Sequence, residues 1–398
     1  MKLTGSRHTA GSLFLIITVL VYVLLHLWTL SWFPFVHSDE VWLASLTRGI
    51  AEQGLSATED FFILTPRYPH ALKSLYHVLQ IPFLQSDWSI VSARFLSLIS
   101  ALLVLLFLFL VFRRVFSLWA AFFLTFLLAF DSWFFSASHM GRQEMMILLL
   151  TVLSFFCLVK GYFTAEKKDG NKKKWWRYVF FAALFVGVGI FVHPNSCIAM
   201  AAVLPWVLAL SEPAQRCKSI FLYLATCSFF LCLAAIASVY LDSNFFAHYW
   251  DFGVSVGVGS GFLTRLGNLK LFIAELLFRR AGTYYMPPSI FQFVLFILAV
   301  FIFLRIWFIS KASGFVRHEK NHDVSLVFSA TSFASVGMVF FALFVIGKYS
   351  PPSGLFIVPW MYIFLISMLA NTFVKTPKAL RTVVSIFVVC VSVVILIG

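Results

Sequence analysis

The sequence has 398 residues, of which 61% are hydrophobic and only 12% are charged. Soluble globular domains average about a quarter charged residues, so this composition excludes that class and indicates a polytopic membrane protein. The formal net charge of +14 could suggest a nucleic-acid-binding protein, but a basic excess in a membrane protein more often reflects its orientation in the bilayer. We therefore predict no nucleic-acid partner. The six cysteines include no CxxC pair, so neither a disulfide framework nor a zinc site is predicted.

Apolar windows, broken by charged runs and by Pro or Gly, predict an all-α fold with about eleven transmembrane helices. Roughly 20 apolar residues are needed to cross about 30 Å of hydrocarbon, and irregular backbone cannot face lipid. The first window is too long for a signal-peptide core and has no small-residue cleavage site after it, so we interpret it as a retained helix. The predicted spans, within a single domain over residues 1–398, are 12–31, 92–112, 116–135, 144–163, 178–193, 195–210, 219–241, 289–309, 325–347, 353–371 and 381–397.

The distribution of charge predicts the orientation of these helices. If the N-terminus is cytoplasmic, 20 of the 30 Lys and Arg residues fall on the cytoplasmic side, as the positive-inside rule requires. Two long loops, residues 32–91 and 242–288, and 11 of the 16 acidic residues then fall on the other side. We therefore expect the active site on the extracytoplasmic face of a plasma or inner membrane.

Both long loops carry helical patterns. In the first loop Trp42, Leu46 and Ile50 recur at helical spacing, and a second apolar stretch covers residues 72–83. These patterns predict short helices lying in the membrane interface. The second loop combines a glycine-rich segment, GVSVGVGSGF, with the apolar stretch LKLFIAELLFRR, which predicts a mobile segment followed by another interfacial helix.

Charged residues collect at the predicted extracytoplasmic ends of the helices. Asp39 and Glu40 follow the first span in HSDE, where acids in the first turn of a helix would satisfy free backbone N–H groups. Arg94 in SARFLS is compatible with snorkelling to the interface. Arg142 and Glu144 stand at the start of the run MMILLLTVLSFFCL, and ionisable groups beside the hydrocarbon are costly and usually functional.

Carboxylates beside arginines suit transfer of a group from a phosphate-linked donor. A carboxylate near a hydroxyl acceptor can remove its proton as the oxygen attacks an anomeric carbon. Guanidinium groups can hold the phosphate and stabilise its charge as it leaves. Such a lipid-linked donor lies in the outer leaflet, which would explain a site at the interface.

The order of these features resembles a known family. An acidic pair after the first helix is followed by RYPHALKSLYHVLQIPF, by SIVSARFLSLISALLVLLFLFLVFRRVFS and by AFDSWFFSASHMGRQEMMILLL. This order resembles GT-C glycosyltransferases of the protein O-mannosyltransferase and lipid A aminoarabinose transferase type. The similarity covers residues 37–160, with weaker similarity in HPNS and in KYSPPSGLFIVPW.

The resemblance implies a membrane enzyme of the cell envelope that transfers one sugar from a polyprenyl-phosphate donor to a glycan, lipid or protein acceptor. It implies that Asp39 is the catalytic base with Glu40 beside it, that Arg67 contacts the donor phosphate, and that Arg142 is the arginine of the second motif. Further candidate substrate-binding residues are Glu144, His139, His193, Lys348 and Tyr349.

Several alternatives remain open from the sequence. Direct attack with inversion needs one base, whereas a retaining enzyme would need a second carboxylate as nucleophile, a role that Glu40 could fill. A transporter or lipid flippase would place ionisable residues near the bilayer midplane on repeated helices, and a scaffold would only present the loops to a partner. No cofactor is predicted. A divalent metal would require acids and histidines such as Asp39, Glu40, His139 and His193 to meet, and no HExxH-like spacing supports this.

Overall fold

The computed structural model describes residues 5–57, 68–167, 173–255, 258–278, 290, 292–294, 296–301, 304, 320–347, 349 and 351–375. The regular elements in these ranges are helical, which confirms the predicted fold class. The α-helices are α1 Gly5–Thr29, α2 Ser38–Gln53, α3 Ser74–Ser86, α4 Ile90–Val115, α5 Leu118–Ala129, α6 Ser132–Ser138, α7 Glu144–Lys167, α8 Lys173–Val188, α9 Ser196–Leu210, α10 Arg216–Leu241, α11 Phe245–Ser255, α12 Phe262–Phe278, α13 Lys320–Ile346 and α14 Val358–Lys375. Short 3₁₀ helices cover Gly189–Phe191, Pro213–Gln215 and Pro351–Phe356.

Five of the described helices are long and apolar enough to cross a membrane, and a sixth span is possible if one bent pair is counted. They cover Ile90–Val115, Glu144–Thr164, Pro213–Leu241, Val324–Ile346 and Pro352–Leu369. Shorter apolar helices overlap the predicted spans 12–31, 178–193 and 195–210. The predicted span 381–397 lies outside the described residues, and the predicted span 289–309 is described only at residues 290, 292–294, 296–301 and 304. The chain is a multi-pass integral membrane protein.

One predicted span differs from the structure. Residues 116–135 were expected to form one helix, but α5 ends at Ala129 and α6 continues at an angle of 66° to it. The break occurs because the Asp131 carboxylate accepts hydrogen bonds from the backbone N–H groups of Trp133 and Phe134 at 2.9 and 3.0 Å. Asp131 is therefore the N-cap of a new helix, and its other oxygen accepts from the Tyr362 hydroxyl at 2.9 Å.

Aromatic packing holds the centre of the bundle together. Trp206 on α9 packs against Phe155 on α7 and Phe328 on α13, with ring centroids 4.5 and 5.0 Å apart. Trp360 on α14 contacts Phe155 at 5.6 Å, and all four side chains are fully buried. These buried rings fix the relative positions of α7, α9, α13 and α14.

Both long loops contain helices: α2, α3 and α12 lie where the sequence predicted them, whereas α11 was not predicted. In the first loop α2 and α3 pack on each other and on α4, and the second loop contains α11 and α12. The C-terminal end of α1, the start of α2 and the starts of α4 and α7 meet at one end of the bundle, which we call the site end. Arg94 marks this junction, because it bonds both the Leu30 carbonyl and the Glu40 carboxylate.

Candidate active site

The start of α2 places the acidic pair at the site end. His37 is the N-cap, and its Nδ1 accepts a hydrogen bond from the Asp39 backbone N–H at 3.0 Å. The Glu40 carboxylate accepts from the His37 backbone N–H, also at 3.0 Å, which completes a capping box. The predicted helix start at HSDE is confirmed. Burial lowers the pKa of His37 below its ordinary value, because the charged imidazolium loses hydration there.

Glu40 is enclosed by protein groups. Arg94 Nε and Nη2 donate to its two carboxylate oxygens at 2.8 Å each, and both side chains have no exposed surface. The Gly141 backbone N–H donates to Glu40 Oε1 at 2.7 Å. Glu40 therefore joins α2 to α4 and to the turn before α7.

Arg94 also fixes the connection between α1 and α2. Its Nη1 donates to the carbonyls of Leu30 and Phe33 at 2.7 and 3.1 Å, and its Nη2 donates to the Pro34 carbonyl at 3.0 Å. The expectation that Arg94 snorkels to the interface is wrong, because the guanidinium finds a carboxylate and three carbonyls inside the fold. Hydrogen bonds and a paired carboxylate offset much of the free-energy cost of burying this guanidinium. A buried arginine without partners would be far more costly.

Asp39 points to a different partner. The Arg142 guanidinium donates through Nη1 to Asp39 Oδ2, and on its other edge it donates to both oxygens of Glu144 at 2.9 and 3.2 Å. The side chains of Asp39, Arg142 and Glu144 are 20%, 12% and 5% exposed. Asp39 is thus the most accessible carboxylate of the cluster, whereas Glu40 is sealed.

The turn that carries Arg142 is held close to α4. A Cβ on Gly141 would lie 3.0 Å from the Ala93 carbonyl oxygen, so the glycine permits the turn to approach α4 backbone to backbone. The Ser97 hydroxyl donates to the Arg142 carbonyl at 3.2 Å. On the neighbouring α3, burial first and then the charges of Glu144 and Glu40 raise the pKa of Tyr76.

The structure thus brings together Asp39, Glu40, Arg142 and Glu144 of the predicted site residues, while His139 lies in a neighbouring packed region. His139 has no exposed surface; its Nδ1 lies 2.9 Å from the Phe135 carbonyl and its Nε2 2.7 Å from the Thr29 hydroxyl. Its ring stacks on His26 at 3.8 Å. Burial lowers the pKa of His139 to about 4. This histidine packs α6 against the end of α1.

The remaining predicted residues are placed elsewhere or not described. His193 lies in the turn before α9, where its Nδ1 accepts from the Asn195 N–H at 3.0 Å. The Tyr349 hydroxyl donates to the Arg265 carbonyl at 3.1 Å, which links it to α12. Arg67 and Lys348 lie outside the described residues.

No three His, Cys, Asp or Glu side chains are grouped to hold a metal ion in the part of the chain that the structure describes. The carboxylates of Asp39, Glu40 and Glu144 lie close together, but the guanidinium groups of Arg94 and Arg142 already bond them.

Two contributors to the cluster were missed as site residues in the sequence. Arg94 was interpreted as a residue that snorkels to the membrane interface, and Gly141 carried no signal beyond its position before Arg142. The one available hint was an arginine inside the apolar run of α4, five residues after the Ser89 N-cap. Its partner Glu40, 54 residues earlier in the chain, could only be found from the fold.

Comparison with known proteins finds one family model that matches part of this chain. A family model described as dolichyl-phosphate-mannose-protein mannosyltransferase matches residues 79–241. This stretch includes Arg94 and Arg142 but not Asp39. The predicted resemblance to GT-C glycosyltransferases is confirmed. A search of curated proteins finds no significant match.

Solved GT-C structures share the fold of this chain at low sequence identity. ArnT from Cupriavidus metallidurans, bound to undecaprenyl phosphate, is 16% identical with a TM-score of 0.55; the alignment covers 89% of this chain and 60% of ArnT. The apo oligosaccharyltransferase of Archaeoglobus fulgidus is 13% identical with a TM-score of 0.60, covering 97% of this chain and 55% of that one. Archaeal oligosaccharyltransferase AglB from the same organism, with an inhibitory peptide and a dolichol-phosphate, is 12% identical with a TM-score of 0.58, covering 99% and 55%. The chain thus spans little more than half the length of these proteins.

Proposed function

We propose that this protein is a membrane glycosyltransferase that transfers one sugar from a polyprenyl-phosphate donor to an acceptor at the extracytoplasmic face. The observation that carries the proposal is the cluster at the site end, where Asp39 is partly exposed and oriented by Arg142. The fold shared with ArnT bound to undecaprenyl phosphate and with AglB bound to a dolichol-phosphate supports a donor of this class.

In the proposed reaction Asp39 is the general base. Its carboxylate accepts the proton of an acceptor hydroxyl while that oxygen forms a bond to the anomeric carbon. The bond between the anomeric carbon and the phosphate oxygen breaks, and the polyprenyl phosphate leaves with the electron pair. A single displacement of this kind inverts the anomeric configuration and needs no second carboxylate.

Within this proposal Glu40 is a positioning residue, since its two oxygens already accept from Arg94, His37 and Gly141. A nucleophile in a retaining mechanism would need a free oxygen facing the sugar, and Glu40 has no exposed surface. Arg142 holds Asp39 in place, and Glu144 fixes the opposite edge of the guanidinium. Arg67 stays a predicted contact of the donor phosphate, and Lys348 stays a candidate substrate-binding residue.

The orientation of the protein also belongs to the proposal. The start of α7 lies at the site end, whereas Arg113 and Arg114 lie in the last turn of α4 at the opposite end of that helix. By the positive-inside rule the basic end faces the cytoplasm. The site end would then face the donor in the outer leaflet, with the N-terminus cytoplasmic.

The experiment that tests the function incubates purified protein with radiolabelled polyprenyl-phosphate sugars and membrane acceptors. We expect transfer by the wild-type protein and loss of nearly all turnover in Asp39→Asn, which keeps the shape but not the basicity of the side chain. The matched control is Glu52→Gln on the same helix, because Glu52 is exposed and pairs only with the exposed Arg48 in the described structure. Retained turnover in Asp39→Asn would refute the role of Asp39 as base, and flux of lipid-linked sugar in liposomes without product would favour a flippase.

A further inference from the structure

Gln143 is a polar residue of the site end that the reaction proposed above does not use. It lies between Arg142 and Glu144, and its carbonyl accepts from the Ile147 N–H at 3.1 Å, which fixes it at the entrance to α7. The residue is only 2% exposed. Its side-chain Nε2 is buried and has no hydrogen-bond partner among the described residues.

The position of this unpartnered amide donor, between Arg142 and Glu144, makes it a candidate for contact with a ligand of the site. A buried donor without an acceptor is costly, and most buried polar groups in native proteins are bonded. The charged groups beside it already pair with one another: Glu40 with Arg94, and Arg142 with Asp39 and Glu144. Among the described residues of this charged group, Gln143 Nε2 is the buried side-chain atom that has no hydrogen-bond partner.

We propose that Gln143 contacts a hydroxyl group of the donor sugar and contributes to the choice of sugar. This inference rests on the proposed glycosyltransferase function. A carboxamide has both donor and acceptor groups, which suits a hydroxyl that also donates and accepts. A site built to bond a substrate hydroxyl discriminates strongly against an analogue that lacks the hydroxyl, because the protein group is then left unpaired.

The chain offers a matched control on the same helix. Ser154 on α7 is also fully buried, and its hydroxyl has no partner within the described structure. It lies 11 positions after Gln143, which at 1.5 Å per residue is about 16 Å along the helix axis. Ser154→Ala therefore removes an orphaned buried polar group far from the site end.

The test compares stability with binding in the full-length protein. Gln143→Met has a similar shape without the amide, so we expect the midpoint of thermal unfolding to stay or rise, as in Ser154→Ala. Binding of undecaprenyl-phosphate mannose, glucose and galactose is measured beside bare undecaprenyl phosphate. For the sugar lipid that wild type binds best, we expect Gln143→Met to weaken affinity roughly ten-fold, with no change for the bare lipid or in Ser154→Ala.

Three results would overturn the inference: wild-type affinity of Gln143→Met for all the lipids, an equal loss for the bare and the sugar-bearing lipids, or no preference of wild type for any sugar lipid. Gln143→Ala repeats the comparison if the methionine variant does not fold. Because binding needs no turnover, a sugar-specific loss in a protein that transfers no sugar would support the contact while refuting the proposed reaction.

Discussion

The buried pair of Arg94 and Glu40 provides the sharpest test of how the site end is held together. Arg94→Met removes the guanidinium but keeps a long apolar side chain. Glu40 would then be a buried carboxylate with no cation, and three carbonyls would lose their donor. Removing one partner of a buried ion pair costs about 3–5 kcal/mol. We expect a loss of that size in the free energy of unfolding.

A double-mutant cycle measures the interaction free energy between Arg94 and Glu40 apart from their other contacts. If Glu40→Met costs a similar amount, additive effects would predict a loss of about 6–10 kcal/mol in the double variant. The double variant leaves no unpaired charge, so we expect a loss at least about 2 kcal/mol smaller than the sum, in line with coupling between contacting residues. It stays less stable than wild type because the carbonyls of the α1–α2 connection and the Gly141 N–H keep no partner.

The assay is titration of the protein in mixed micelles with a denaturing detergent, followed by tryptophan fluorescence. Arg48→Ala is the control, since the Arg48–Glu52 pair is exposed and such pairs contribute little; we expect no measurable change. Losses that add within about 0.5 kcal/mol, or an Arg94→Met variant as stable as Arg48→Ala, would refute the reasoning.

Two further predictions concern the same end of the bundle. Gly141→Ala forces a Cβ to 3.0 Å from the Ala93 carbonyl, so we expect a loss of about 1–3 kcal/mol in unfolding free energy together with reduced sugar transfer; unchanged values would contradict the close approach. His139 is neutral in the fold, with its pKa lowered to about 4 by burial, against about 6.5 when unfolded. Its contribution to stability is complete above pH 6.5 and is lost as the pH falls towards 4, by about 3 kcal/mol. The free energy of unfolding is measured as a function of pH in wild type and in His139→Gln. An equal dependence on pH in the two proteins would refute the lowered pKa of His139.

Local signals predicted much of the architecture. The apolar windows predicted helices that the structure contains, because a run of apolar residues in a membrane has few other ways to satisfy its backbone. The HSDE motif predicted the start of α2, since a cap and its acids act within four residues. The break after Ala129 was missed because Asp131 caps a helix with a polar side chain inside an otherwise apolar window.

The division of roles in the acidic pair could not be read from the chain. Asp39 and Glu40 are adjacent, and one residue of helix turns its side chain by about 100°. Glu40 consequently points to Arg94 on α4, while Asp39 points to Arg142 before α7. Both arginines are distant in sequence, so no local pattern distinguishes a sealed carboxylate from an accessible one.

The sequence by itself determined that this is a helical membrane protein, that its acids and arginines lie near helix ends, and that it resembles GT-C glycosyltransferases. These properties follow from composition, from hydrophobic runs and from short motifs, each of which acts locally. Only the tertiary structure decided which charges meet, that Arg94 is buried, and that Gln143 Nε2 lies beside them with no partner among the described residues. Those outcomes depend on contacts between α2, α4 and the start of α7, which the packing of the bundle alone brings together.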